Sequence, residues 1–231
     1  MTVNTTVFPG FDFPMTARAA LLVIDMQPCG VGAEIGLIQA IERTAPGYTS
    51  YLVDRIQRIV VPNLQRLGAA FRGHGLPVYF TAFASRAGDG SDITTSTIRY
   101  RDAQRRAATG SSVVLPRSHP ATDIIAELGP APGDTVLTKT SMDTFASTRL
   151  AEELHQRDVR TLVVGGVLTD ACVESSARHA AEHGFQVFVV EDACAAWEEA
   201  FHAESLASLS RYFARVVSTS QIIRELESAV A

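Results

Sequence analysis

The stretch Thr161-Leu-Val-Val-Gly-Gly-Val-Leu-Thr-Asp-Ala-Cys-Val-Glu174, with the alanine-rich run that follows it to Gly184, constrains this chain more than any other. Leu162 to Val164 form an apolar run too short for a helix and without the alternation of a half-exposed strand. Such a run reads as a strand buried on both faces, the habit of parallel sheets. Gly165 and Gly166 are expected to end it, and helical periodicity begins near Ala171. Cys172 therefore falls in the first turn of a helix at the carboxyl end of a strand. Free N–H groups and the helix dipole there favour a thiolate, and open α/β sheets form their ligand crevices at that edge. The competing reading is a structural cysteine, since free Cys is among the most buried residue types.

The same alternation recurs along the chain. Ala19–Ile24, Leu76–Thr81, Thr135–Thr138, Gln186–Val190 and Ala214–Val217 read as further strands. Between them, helical spacing predicts helices over 51–73, with Pro62 kinking or restarting the first, and over 121–128, 147–157, 198–212 and 219–226. Residues 29–50, broken by Gly30, Gly32, Gly36, Pro46 and Gly47, read as an active-site loop with a short helix. Residues 84–118 carry Arg99, Arg101, Arg105 and Arg106 but no glycine-rich phosphate cradle, so they read as a solvated loop or surface helix. The expectation is an α/β fold, a three-layer doubly wound sandwich on a six-stranded parallel sheet with right-handed crossovers. One domain spans 19–231. Residues 1–18 form an irregular arm, suited to covering a neighbouring subunit.

Composition narrows the function. The net charge of -5 is spread in interspersed residues, which argues against nucleic acid and anionic membranes as partners and for a small-molecule ligand. Cys29, Cys172 and Cys194 make no paired framework, and no basic, apolar leader opens the chain, so the expected setting is the reducing cytoplasm. No apolar run reaches the ~20 residues of a membrane span.

Asp25, Lys139 and Cys172 each follow a predicted strand directly or closely, so a parallel sheet would bring them to one rim. Their chemistry is complementary: a carboxylate to accept the thiol proton, an ammonium to hold the negative charges, and a sulfur to attack a carbonyl carbon.

Four segments around these residues resemble the isochorismatase-like cysteine hydrolases. They are Ala20-Leu-Leu-Val-Ile-Asp-Met-Gln27, Lys139-Thr-Ser-Met-Asp-Thr-Phe-Ala-Ser-Thr-Arg-Leu150, Gly165-Gly-Val-Leu-Thr-Asp-Ala-Cys-Val-Glu174 and Val190-Glu-Asp-Ala-Cys-Ala195, in the family's order and spacing. The resemblance implies a catalytic set of Cys172, Asp25 and Lys139, a cis peptide between Val167 and Leu168, and an oxyanion hole made by the N–H groups of Leu168 and Cys172. It also implies a substrate pocket touching Gln27, Phe145, Val167 and Trp197, and a homodimer or homotetramer. Nicotinamidases of this superfamily place Asp and His for a metal after the second strand; here Thr81-Ala-Phe-Ala-Ser-Arg-Ala-Gly88 stands there, so neither metal nor other cofactor is expected. His179 and His183, four apart on a helix, find no third ligand in the sequence. His119 and Cys29 read as loop residues. The nucleophilic Cys172 favours hydrolysis of a linear amide or carbamoyl C–N bond. Two alternatives stand beside it: vinyl ether cleavage of the isochorismatase type, and a small-molecule-binding protein that has kept the fold.

Overall fold

The computed structural model describes residues 10–32 and 34–230. Its six strands are β1 (Ala19–Ile24), β2 (Val78–Phe83), β3 (Thr135–Lys139), β4 (Thr161–Val167), β5 (Gln186–Ala195) and β6 (Arg215–Val217). All pair in parallel, in the order β3-β2-β1-β4-β5-β6. The chain winds outward from β1 to β3 and then returns to lay β4 on the other side of β1. Loops leaving β1 and β4 therefore part in opposite directions, which opens a crevice at their carboxyl ends.

Every residue of β1 is buried, and alternate side chains enter different layers. Leu21 and Val23 face a layer with Leu52, Ile56, Leu64, Phe71, Ile222 and Leu226. Leu22 and Ile24 face Leu150, Leu154, Val173, Ala177, Leu206 and Leu209. The first layer belongs to α3 (Ser50–Arg55), α4 (Val61–Gly73) and α9 (Thr219–Val230), the second to α6 (Leu150–Gln156), α7 (Glu174–Glu182) and α8 (Glu199–Tyr212). Each fully buried aliphatic side chain contributes about 1.5–3 kcal/mol, so the doubly covered central strands are the fold's anchor. Among the described residues no helix is long and apolar enough to cross a membrane.

Several boundaries differ from expectation for identifiable reasons. Gly165 and Gly166 do not end β4; both lie within it. Gly166 has φ +117°, and a Cβ there would stand 2.2 Å from the carbonyl oxygen of Ile24, so β1 and β4 approach as only glycine allows. β5 continues past Val190 because Glu191 and Asp192 form an irregularity rather than an end, with the register shifting between Val164 and Gly166. Arg55 donates to the carbonyls of Glu191 (2.9 Å) and Cys194 (3.0 Å), and Asn63 to that of Asp192 (2.9 Å), supplying the partners the ladder lacks there. The helix expected over 51–73 contains a π turn at Ile56–Val60 immediately before Pro62, which cannot donate a backbone hydrogen bond. In place of a helix over 121–128 there are two single 3₁₀ turns, Pro120–Thr122 and Ala126–Leu128.

Residues 29–50 hold two short helices, α1 (Pro28–Val31) and α2 (Leu37–Glu42). Inside 84–118 lies α5 (Ser96–Thr109) with the arginine cluster. The expected arm is described only from residue 10, the rest lying outside the described residues. Its described part packs in part on β5: the Phe13 ring meets Phe188 edge-on at 5.2 Å, and Met15 is buried.

Candidate active site

Asp25 is the first residue beyond β1 and holds a left-handed backbone, φ 52°, which Asp tolerates better than most non-glycine residues. Its N–H reaches the Thr81 carbonyl at 3.2 Å, and Oδ1 accepts the Thr81 hydroxyl at 2.7 Å. Oδ2 is left to face Lys139 Nζ at 2.8 Å. Lys139, the last residue of β3, is 0% exposed. A buried ammonium needs partners on every side. Besides Asp25, the carbonyls of Ser141 (2.8 Å) and Met142 (3.0 Å) and Cys172 Sγ (3.2 Å) lie within reach of its three N–H donors, and the Phe83 ring lies 5.1 Å away. Asp25, Lys139 and Cys172 thus meet at the rim, where the strand order reverses.

Burial pulls Lys139 toward neutrality, but Asp25 and then Cys172 outweigh it and raise the pKa above the usual lysine value. Cys172 behaves differently from the sequence expectation of a resting thiolate. Its thiol is pushed up to about 12, mainly by burial, with Lys139 opposing and Asp25 adding to the rise. Cys172 is held in a π turn, Thr169–Val173, that leads into α7, and the favourable helix terminus is outweighed by the dry surroundings and the neighbouring carboxylate. Burial and the Asp25 carboxylate thus favour a thiol over a thiolate at Cys172. Cys172 as a residue is only partly buried, although its thiol sits in dry surroundings.

The peptide between Val167 and Leu168 is cis. Leu168 is partly exposed and opens the turn that carries Cys172.

The expected pocket residues fare unevenly. Gln27 is a brace: Nε2 donates to the carbonyls of Phe83 (3.3 Å) and Thr122 (2.7 Å), and Oε1 accepts the Phe83 N–H (2.8 Å). Its amide joins β1 to β2 and the 3₁₀ turn. Phe145, 8% exposed, packs on Phe185 and on the rings of His179 and His183, which makes it a support beneath α7. The Val167 side chain is 3% exposed and belongs to the core. Trp197 is half-buried and stacks on Tyr48, ring centres 6.4 Å apart, and Tyr48 donates to Glu198 at 3.0 Å. β4 and β5 end on the pair Val167 and Ala195, and Trp197 follows β5 two residues beyond that pair. Trp197 and Tyr48 thus stack just beyond the carboxyl end of β5.

Sequence reasoning passed over Thr81, Phe83 and Tyr48. Thr81, fully buried and polar at the end of an apolar strand, was the available signal; it pairs with Ile24, the neighbour of Asp25. Where the metal-binding branch has its ligands, the chain places the Phe83 ring against Lys139 and the Ser85 hydroxyl on Asp92 (2.6 Å), which do not form a ligand set. Among the described residues no three His, Cys, Asp or Glu side chains are close enough to hold a metal. His119 caps a 3₁₀ turn, its Nδ1 accepting from Ala121 N–H at 3.1 Å, and His179 contacts Asp143. Cys194 is buried, while burial first and Asp25 second push the Cys29 thiol up to about 11. A surface groove of about 580 Å³ between α3 and α8 does not include the three rim residues.

Residues 19–221 match the family model described as "Isochorismatase domain". An uncharacterized isochorismatase family protein of Escherichia coli, YecD, is 33% identical over 170 residues, 72% of this chain and 83% of its own. The ureidoacrylate amidohydrolase RutB of Methylobacterium radiotolerans is 29% identical over 67% of this chain and 62% of its own. Among solved structures, a cysteine hydrolase from Pseudomonas syringae pv. phaseolicola aligns with a TM-score of 0.76 at 27% identity, covering 96% of this chain and 98% of that one.

Proposed function

This chain belongs to the isochorismatase family of hydrolases, and we propose that it cleaves a linear amide or carbamoyl C–N bond of a small molecule through an acyl-enzyme on Cys172. One observation carries the reading: a single buried ammonium, Lys139 Nζ, lies 2.8 Å from Asp25 and 3.2 Å from Cys172 Sγ. A structural cysteine would have no need of a buried charge pair beside it. RutB, an amidohydrolase by name, adds support from similarity.

In the proposed cycle the Cys172 sulfur attacks the carbonyl carbon as its proton passes to Asp25. Because the resting thiol holds its proton, attack and transfer are coupled, and Lys139 offsets the charge on both partners. Backbone N–H groups of Leu168 and Cys172 stabilise the oxyanion, each such donor contributing roughly 3 kcal/mol. Asp25 then delivers its proton to the leaving nitrogen as the C–N bond breaks. Water attacks the thioester carbon, Asp25 takes a proton from it, the C–S bond breaks, and that proton returns to sulfur. The cycle requires neither metal nor organic cofactor. Trp197 and Tyr48 form one wall for the substrate. We place the enzyme in the cytoplasm and propose that it works as a homodimer or homotetramer.

A panel of linear amides, carbamoyl compounds and vinyl ethers tests the reading. Ammonia or amine release, with an acyl adduct on Cys172 in the intact mass spectrum, is expected. Pyruvate release without any adduct would instead establish vinyl ether cleavage.

A further inference from the structure

The turn that presents Cys172 is held from behind by a chain of polar groups that touches none of the three rim residues. His202, in the first turn of α8, is 7% exposed. Its Nε2 lies 2.9 Å from Arg55 Nη2, and its Nδ1 lies 2.8 Å from the Thr169 hydroxyl. A guanidinium has only donors, so the ring nitrogen facing it must accept. A neutral imidazole that accepts at Nε2 carries its proton on Nδ1 and donates it to Thr169. Arg55 is itself fixed by the carbonyls of Glu191 and Cys194 in the irregular part of β5. Ser205, one turn further along α8, donates to the Thr169 carbonyl at 3.1 Å.

Thr169 sits between Leu168, a proposed oxyanion donor, and the rest of the turn that ends in Cys172 and Val173. We infer that His202 is a positioning residue for the nucleophile: locked by Arg55 as the Nδ1–H tautomer, it pins the Thr169 hydroxyl and so sets where Cys172 and the neighbouring backbone donors point. The low proton affinity of the buried ring fits this role, because a cationic imidazole would set an N–H against the guanidinium. The inference rests on Cys172 being the nucleophile.

Two measurements on the whole protein test it. Long-range ¹H–¹⁵N NMR of the imidazoles is expected to show His202 neutral and protonated on Nδ1; an Nε2–H tautomer or a cationic ring at neutral pH overturns the inference. The second readout is the rate at which iodoacetamide labels Cys172, followed by mass spectrometry, alongside kcat. Thr169→Val and His202→Gln are each expected to slow both by about tenfold to a hundredfold, the size a small misplacement of a reacting group produces. Thr169→Ser keeps the hydroxyl and should restore the wild-type rates, which a general loss of packing would not do. The double variant Thr169→Val/His202→Gln should be no slower than either single one, since both break one path. Multiplied effects, or a Thr169→Val protein with wild-type labelling and kcat, overturn the relay. The two possible failures are separable: a wild-type protein that turns over substrate without an acyl adduct on Cys172 in the intact mass spectrum defeats the nucleophile reading and the relay with it. A reactive Cys172 indifferent to Thr169→Val defeats the relay alone.

Discussion

At the scale of single residues, the site depends on one buried lysine that faces a carboxylate, two carbonyls and a sulfur at once. Cys172→Ala removes a single sulfur atom and strands no buried charge without a partner, so the fold should persist while turnover falls by on the order of 10⁴-fold or more; retention of wild-type kcat would show the sulfur to be structural. Lys139→Met behaves differently, because it strands Asp25 and two carbonyls without their cation. We expect it to lose activity and also roughly 3–5 kcal/mol of stability in denaturant titrations, the cost of breaking a buried ion pair. His202 supplies a pH dependence whose sign can be worked out. Burial, and then Arg55, lower its pKa to about 4, against about 6.5 in an unfolded chain. Between those values the unfolded chain binds a proton that the folded one refuses, so stability falls as pH drops through that window and is unaffected above it. The loss should reach up to about 3 kcal/mol by pH 4. Guanidinium unfolding of wild type and His202→Gln at pH 7 and near pH 4 isolates this contribution: the difference between the two proteins should shrink in acid, and a constant gap would refute the assignment.

At the scale of elements, the strands and helices were legible because their apolar periodicity is strong, and the exceptions occur where backbone geometry is irregular. The glycines of β4 look like a break in sequence, yet they permit the close approach of β1 and β4 that places Asp25 near Cys172. Gly166→Ala would combine φ +117° with a Cβ 2.2 Å from the Ile24 carbonyl oxygen. It should destabilise by more than about 3 kcal/mol, because backbone on both sides must move; a melting temperature within a degree of wild type would contradict that packing. Likewise Glu191 and Asp192 look like the end of β5, and only the side chains of Arg55 and Asn63, distant in sequence, explain why it continues. Asp25, Lys139 and Cys172 were legible from strand ends plus complementary chemistry. The bracing role of Gln27 and the packing of Phe145 and Val167 were not legible, since motif position says nothing of which way a side chain turns. Residues 84–118 were legible only as polar, for their organiser is one carboxylate. Asp102 of α5 is 5% exposed and accepts from Arg106, Ser112 and the N–H groups of Val113 and Val114. Burial raises its pKa, but the donors, Val113 first, outweigh that and lower it. Its stabilising effect is therefore present above the usual carboxylate range and disappears as pH falls through the depressed value. Asp102→Ala should cost about 2–3 kcal/mol by leaving buried donors unpaired, read as faster hydrogen exchange across 96–114.

At the scale of the whole molecule, the strand order that opens the crevice between β1 and β4 also leaves β3 and β6 as outer strands of the sheet. β3 is thinly covered there: Val136, its second residue, is 39% exposed. Open edges of this kind invite pairing or coverage by another chain. Large apolar side chains also stand in solvent on the helical layers, with Ile59 39%, Phe201 38% and Tyr212 60% exposed. Scattered exposure of this sort is ordinary on a monomer, but together with an uncovered sheet edge it favours burial between copies. Phe13 of the amino-terminal arm lies against its own β5, which leaves the helical layers and β3 as the apolar surfaces to test first. Multi-angle light scattering at micromolar concentration should give a mass two or four times the 24.8 kDa of one chain. Charged replacements made singly at Val136, Ile59 and Phe201 then locate the contact: the one that lies in it should shift the mass toward the single-chain value, while the others leave it unchanged. A wild-type protein that elutes and scatters as a single chain under these conditions would refute the assembly, and would mean that the three exposed side chains are individually tolerated surface residues.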